Sequence, residues 1–251
     1  MLKQIKRWIS GSPTGPDWSD VSAWAEKRDY GFKRAKDDEG FVIDGSFGTR
    51  PWRLEWGPPQ RAYITSHELR LRMELQLSSS LQMLVMSRAL MEMLERETFE
   101  RYTQSNQTLI DVSTPEEMRW LAMFPKVNLV DLPKNVKSNF AAVASEPQNA
   151  ANWVDAAFGQ QLAHASLGLL RDQPPFVVMT LRGRVYMRLQ FELPDPVAIG
   201  QAIDLFQAAA AAALRVSSGA HEGPAAGDWP TTASTAWQTD LTPEDPKDRE
   251  R

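Results

Sequence analysis

Two stretches of strict alternation constrain this chain more than any other feature. In Glu68 to Leu77 (ELRLRMELQL) and Arg184 to Leu193 (RVYMRLQFEL) every second residue is apolar. That period of two marks sheet strands with one buried and one wet face, since successive side chains of a strand point to opposite sides. The expected fold class is therefore α+β: an antiparallel sheet of hairpins and a meander, with packed helices.

The rest of the chain fills in this frame. Asp17 is placed to cap a helix running to about Arg28, with Trp18, Val21, Trp24 and Ala25 on one face that docks on the sheet. A meander follows through Phe32–Lys36, Phe41–Phe47 and Trp52–Trp56, with Gly57-Pro58-Pro59 ending the last strand because proline cannot donate to the ladder. Gly45-Ser46-Phe47-Gly48 reads as a turn, since no helix start follows it to make a phosphate cradle. Leu81–Ser87 is apolar without alternation and reads as a fully buried strand leading into a helix. Gln107–Val112 is a further strand candidate. Thr114-Pro115-Glu116-Glu117 has the form of a capping box, in which Glu117 reaches back to the start of a helix ending before Pro125. A linking region precedes a strand at Phe140–Ala144 and a helical stretch over 147–171. Phe176–Leu181 and Val185–Leu193 form a hairpin about Arg182-Gly183, and the alanine-rich 196–215 makes a last helix.

Residues 1–16 form a short basic segment and linker, and 17–215 the globular body, either one continuous sheet or two lobes (17–125 and 139–215). Beyond Val216 the chain turns rich in Gly, Pro, Ser, Thr and acids, a composition too poor in apolar surface to offset ordering entropy, and an acidic disordered tail is expected over 216–251. Residues 216–251 hold seven acids against three bases, which accounts for the whole net charge of −4. The body is balanced, and a balanced body lacks the excess positive charge that supplies most affinity for nucleic acid. Nucleic acid is thus not an expected partner. No run of apolar residues has the length and continuity of a membrane span, and the start lacks the apolar core of a signal peptide. With no cysteine in the chain, disulfides, thiolate zinc sites and a cysteine nucleophile are all excluded, which suits a cytoplasmic protein.

No catalytic residue and no metal site is identified, and no cofactor is expected. His67, His164 and His221 are widely separated, Ser78-Ser79-Ser80 has no base beside it, and Asp37-Asp38-Glu39 reads as a solvated hairpin tip. The wet face of the two alternating strands has more to offer. Arg70 and Arg72 on one, with Arg184, Tyr186 and Arg188 on the other, make an arginine-rich patch if the strands share a sheet and face the same way. Cross-strand pairing with Glu55, Glu74 and Glu192 is the structural alternative. Two further surfaces suit a partner: Trp229 and Trp237 as aromatic anchors in the tail, and residues 1–9, whose bulky apolar groups and three cations suit weak contact with a membrane surface.

The style of the chain, an α+β body with a basic start and a polar tail, resembles that of many bacterial cytoplasmic proteins without any diagnostic motif. The expectation is a non-catalytic binding or adaptor module with a protein partner, using the sheet face or the terminal arms. The alternative is an enzyme or small-ligand receptor with a dispersed site, for which His67, Glu68, Arg70 and Tyr186 are the candidates.

Overall fold

Both alternating stretches enter one sheet, and they pair with each other. The computed structural model describes residues 17–35, 39–104, 114–129 and 132–219. Within them the helices are α1 (Ser19–Glu26), α2 (Arg88–Gln104), α3 (Glu116–Met123), α4 (Lys134–Asn139), α5 (Pro147–Trp153), α6 (Ala156–Ala165) and α7 (Pro196–Gly219). The strands are β1 (Gly31–Arg34), β2 (Phe41–Phe47), β3 (Arg50–Gly57), β4 (Glu68–Glu74), β5 (Met83–Ser87), β6 (Lys126–Val127), β7 (Phe140–Ala144), β8 (Phe176–Leu181) and β9 (Arg184–Gln190). They form a nine-stranded sheet in the order β1-β2-β3-β4-β9-β8-β5-β7-β6, every neighbouring pair antiparallel. The β8–β9 hairpin, last in the chain, sits between the β1–β4 meander and the β5–β7 group. One continuous sheet thus takes strands from both halves of the chain.

The two faces are covered unequally. On one, Phe41, Ile43, Leu54, Leu71, Val185 and Phe176 lie under α1, α5, α6 and α7, with Trp153 donating its indole N–H to the Ala209 carbonyl of α7 at 2.8 Å. On the other, α2 and α3 cover only the β5, β7 and β8 part, where Leu84, Met86, Val143 and Val177 pack with Leu90, Leu94, Met118 and Trp120. The unalternating β5 is explained by this: it is buried from both sides along its whole length.

Several local expectations give way to tertiary contacts. The strand read to Leu77 leaves the ladder at Glu74, because Gln76 takes φ +58; Leu75 and Leu77 stay buried by donating to the Gly183 carbonyl of the β8–β9 turn at 3.0 and 3.3 Å. The stretch 147–171 is two helices: Asp155 is extended and caps the second by accepting from the Phe158 N–H at 2.9 Å. The linking region holds β6 and α4. The last helix continues to Gly219, four residues past its expected end, so Val216 to Gly219 belong to the helix instead of the tail; Val216 is buried there. That helix is long and apolar enough to cross a membrane by length and composition, with a mean hydropathy of 1.5 over its apolar window. Half of that window is buried, and Ile199, Ile203 and Phe206 pack into the core. Residues 1–9, the Gln107–Val112 strand candidate and the tail from residue 220 lie outside the described residues.

The glycine-rich Gly45-Ser46-Phe47-Gly48 is also corrected. Gly45 to Phe47 belong to β2, and only Gly48, at φ +60, turns. Gly45 faces Trp52 across the β2–β3 pair, and a Cβ there would lie 2.2 Å from the indole. A side chain at this point displaces a fully buried tryptophan. Gly45→Val is expected to destabilise the protein by about 1–3 kcal/mol, read as a lower urea midpoint; an unchanged midpoint would show that Trp52 has room to move.

Candidate functional site

The core under α2 and α3 reaches Tyr186 of β9 at its edge, and beyond it the outward face of β2, β3, β4 and β9 has no helix over it among the described residues. Alternation decides which side chains it carries. In register across the strands run Asp44, Arg53, Arg72 and Tyr186 in one row, and Val42, Glu55, Arg70 and Arg188 in the next. Arg184 lies opposite Glu74, and Lys33 of β1 reaches Asp44 at 3.9 Å. The five residues expected to form the patch, Arg70, Arg72, Arg184, Tyr186 and Arg188, therefore do share one face of one sheet.

They are not equivalent. Glu68, at the start of β4, is fully buried. Its Oε1 accepts from Arg188 at 2.5 Å, and its Oε2 from Arg70 at 3.3 Å and from the Gln60 backbone N–H at 2.7 Å. Arg70 also donates to the Pro58 carbonyl and lies 3.5 Å from Glu55. With side chains only 17% and 19% exposed, Arg70 and Arg188 are parts of a buried charge cluster. Arg72 and Arg184 are more than half exposed. Arg184 donates to Glu74 at 2.5 Å and to the Tyr186 hydroxyl at 3.4 Å, which raises its pKa further above its ordinary range. Among the described residues Arg72 makes one ion contact, to Glu55 at 3.8 Å. Glu192, expected as a pairing partner, is not among the carboxylates that these arginines engage.

Asp44 holds Arg53 with both oxygens, at 2.8 and 3.2 Å. Hydrogen bonds from Arg53, more than its charge or those of Lys33 and Arg72, hold the Asp44 carboxyl below the ordinary carboxylate range. Two hollows open on this face. The larger, of about 450 Å³, is bounded by Asp44, Arg53, Arg72, Glu74 and Arg184; the smaller, of about 100 Å³, by Glu55, Gln60, Arg70, Tyr186 and Arg188, and it too has Arg53 and Arg72 in its wall.

Beside this face lies a second buried carboxylate. Glu117 does not reach back to cap its helix, and Pro115 stands at the N-cap with no side-chain hydrogen bond. Instead its Oε1 accepts from Tyr63 and from Arg61, each at 2.6 Å, tying α3 to the loop that leads into β4. Burial first, and the Glu117 charge second, push the Tyr63 phenol well above its ordinary pKa, so it stays protonated and donates. The other candidates disperse. His67 stacks on Trp56 with ring centroids 4.4 Å apart, and its carbonyl accepts from the Phe191 N–H. His164 is exposed near the end of α6. Ser78 and Ser80 hydrogen-bond each other at 2.8 Å. Among the described residues no group of three potential ligands is placed to hold a metal ion. Trp229, Trp237 and His221 lie outside the described residues.

No protein-family model matches the chain, and neither does any curated protein. Among solved structures, the mycobacterial trehalose monomycolate transport factor A is similar at a TM-score of 0.43 with 7% sequence identity, over 78% of this chain and 93% of that one.

Removing the charge of Glu68 leaves Arg70 and Arg188 facing each other and mostly buried, with Arg188 stripped of its carboxylate and Arg70 left with Glu55 alone. Glu68→Gln is therefore expected to cost about 3–5 kcal/mol, whereas Glu74→Gln, which breaks an exposed pair, should cost less than about 1 kcal/mol. Comparing the two urea midpoints checks this, and equal losses would show that Glu68 is no different from a surface ion pair. The Asp44–Arg53 pair has an acid signature. Because the folded pKa of Asp44 lies below its unfolded value, its contribution is present above the ordinary carboxylate pKa of about 4 and is lost as pH falls through the folded value. The stability gap between wild type and Asp44→Asn should thus narrow on acidification below about pH 4; a gap constant down to acid would separate Asp44 from the pair.

Proposed function

We propose that the protein is a non-catalytic binding module that takes an acidic segment of a protein partner on the uncovered face of β2, β3, β4 and β9. One observation carries this reading. Among the described residues, helices cover one sheet face and the β5, β7, β8 part of the other, while the remaining part carries six cations (Lys33, Arg53, Arg70, Arg72, Arg184, Arg188) against four carboxylates (Asp44, Glu55, Glu68, Glu74). A helix or chain segment with a negative excess complements this face in charge, and arginine forks suit carboxylate groups in geometry. The neighbouring charges hold most of these side chains in place before any partner arrives, which lowers the ordering cost of association. A chain body with equal numbers of acids and bases supports a protein partner over nucleic acid, whose capture draws on broad positive charge.

The test keeps the full chain. Wild type is compared with a face variant, Lys33→Glu with Arg184→Glu, and with a tail variant, Trp229→Ala with Trp237→Ala, as baits in nuclease-treated native lysate, with partners identified by mass spectrometry. The expected result is a partner held by wild type and by the tail variant and lost from the face variant. A partner kept by the face variant and lost from the tail variant would move the interaction from the sheet to the tail.

A further inference from the structure

The uncovered face contains two arginine pairs in direct cross-strand register, Arg70 with Arg188 and Arg53 with Arg72. Like charges directly opposite on a sheet destabilise it unless something lies between them. The first pair has that something: the buried Glu68 carboxylate gives one oxygen to each guanidinium, at 3.3 Å to Arg70 and 2.5 Å to Arg188. The second pair does not. Asp44 uses both of its hydrogen-bonding oxygens on Arg53 and has Lys33 at 3.9 Å, and Arg72, 56% exposed, has its nearest carboxylate oxygen on Glu55 at 3.8 Å, beyond hydrogen-bond length. The Arg72 guanidinium forms no hydrogen bond to a described residue, and with Arg53 it lines both hollows.

We propose that the Arg53–Arg72 pair is a carboxylate site: an Asp or Glu side chain of the bound segment takes between these two arginines the place that Glu68 takes between Arg70 and Arg188. The inference rests on the reading of this face as the partner surface and names the group on the partner that it grips. Charge favours a carboxylate over a phosphate. The larger hollow has three cations, Arg53, Arg72 and Arg184, against Asp44 and Glu74, an excess of one that a single negative charge matches. A dianion there would meet the two resident carboxylates with a charge left over. Tyr186, opposite Arg72 on β9 and part of the smaller hollow's wall, supplies an aromatic flank for the stem of the entering side chain.

The test is fluorescence anisotropy of a labelled hexaglutamate peptide with the full-length protein at low salt. Variants are Arg72→Gln, Arg53→Gln, the pair Lys33→Gln with Arg184→Gln, and Lys134→Gln on α4 as a charge-matched control. Loss of a charge-assisted hydrogen-bond donor predicts that Arg72→Gln and Arg53→Gln each weaken binding about tenfold or more, with Lys134→Gln unchanged. The urea midpoint separates binding from structure: Arg72→Gln removes a like-charge neighbour of Arg53, so its midpoint should not fall.

If Arg72→Gln and Arg53→Gln bind as wild type does while the Lys33 and Arg184 pair loses binding, the carboxylate site is refuted and the face stands as the partner surface. If every variant binds equally, both fall. Failure of wild type to bind the peptide also refutes the carboxylate site. Inorganic phosphate displacing the peptide at lower concentration than acetate does would make the pair a phosphate site and overturn the assignment.

Discussion

A single buried carboxylate at the junction of β4 and β9 sets the conditions for the rest of the fold. The meander β1–β4 meets the remainder of the sheet through β9, and at that seam Arg70 and Arg188 stand opposite each other. Burying two guanidiniums side by side is unfavourable without a counter-charge, because their desolvation is not repaid. Glu68 supplies it, the Gln60 N–H and Pro58 carbonyl add hydrogen bonds to the cluster, and Glu55 lies 3.5 Å from the Arg70 Nε, which has no hydrogen-bond partner among the described residues. The loop from Pro58 to His67 is thereby drawn over the start of β4. That same loop carries Arg61 and Tyr63 to Glu117 and so fixes α3 over the second core. One ion cluster thus helps to position the seam, the loop and the edge of the helical layer that leaves the polar face uncovered.

Much of the architecture was legible because periodicity is a local property. Glu68 to Glu74 and Arg184 to Gln190 alternate so strictly that their inward and outward faces follow from residue order alone, and the pairing in the sheet places Arg70, Arg72, Arg184, Tyr186 and Arg188 together as that order implies. What local pattern could not convey is which polar residues are buried. Alternation puts Glu68 on the wet face; it is dry, and the Gln60 N–H of the non-periodic loop just before it donates to its carboxylate. Glu117 sits where a capping box expects it, yet Tyr63 and Arg61, more than fifty positions earlier, bind its carboxylate in place of the helix start. Tertiary charge pairing outcompetes the weaker local cap. The break of 147–171 at Asp155 had a visible signal, an acid that can cap a new helix. It was hidden by the helical propensity of the alanines around it.

The candidate site was legible at the level of the patch and not of its parts. Alternation shows four arginines and a tyrosine on one face, but it cannot separate an arginine satisfied by a buried acid from one held only loosely. Arg70 and Arg188 make the sheet; Arg72 and Arg184 face solvent. The distinction depends on distances between strands separated by more than a hundred residues, a tertiary fact with no imprint on spacing.

The position of the β8–β9 hairpin has a consequence for how the chain is made. The strands that flank it, β4 and β5, are synthesised early, and the hairpin that joins them arrives only after residue 190 has left the ribosome. Until then the nascent polypeptide holds two partial sheets, each with an unpaired strand edge rich in Leu, Met and Val, the kind of edge that recruits other chains. Completion of the fold is a late, long-range event, and the emerging chain must keep those edges apart from its neighbours while translation reaches the segment that closes them.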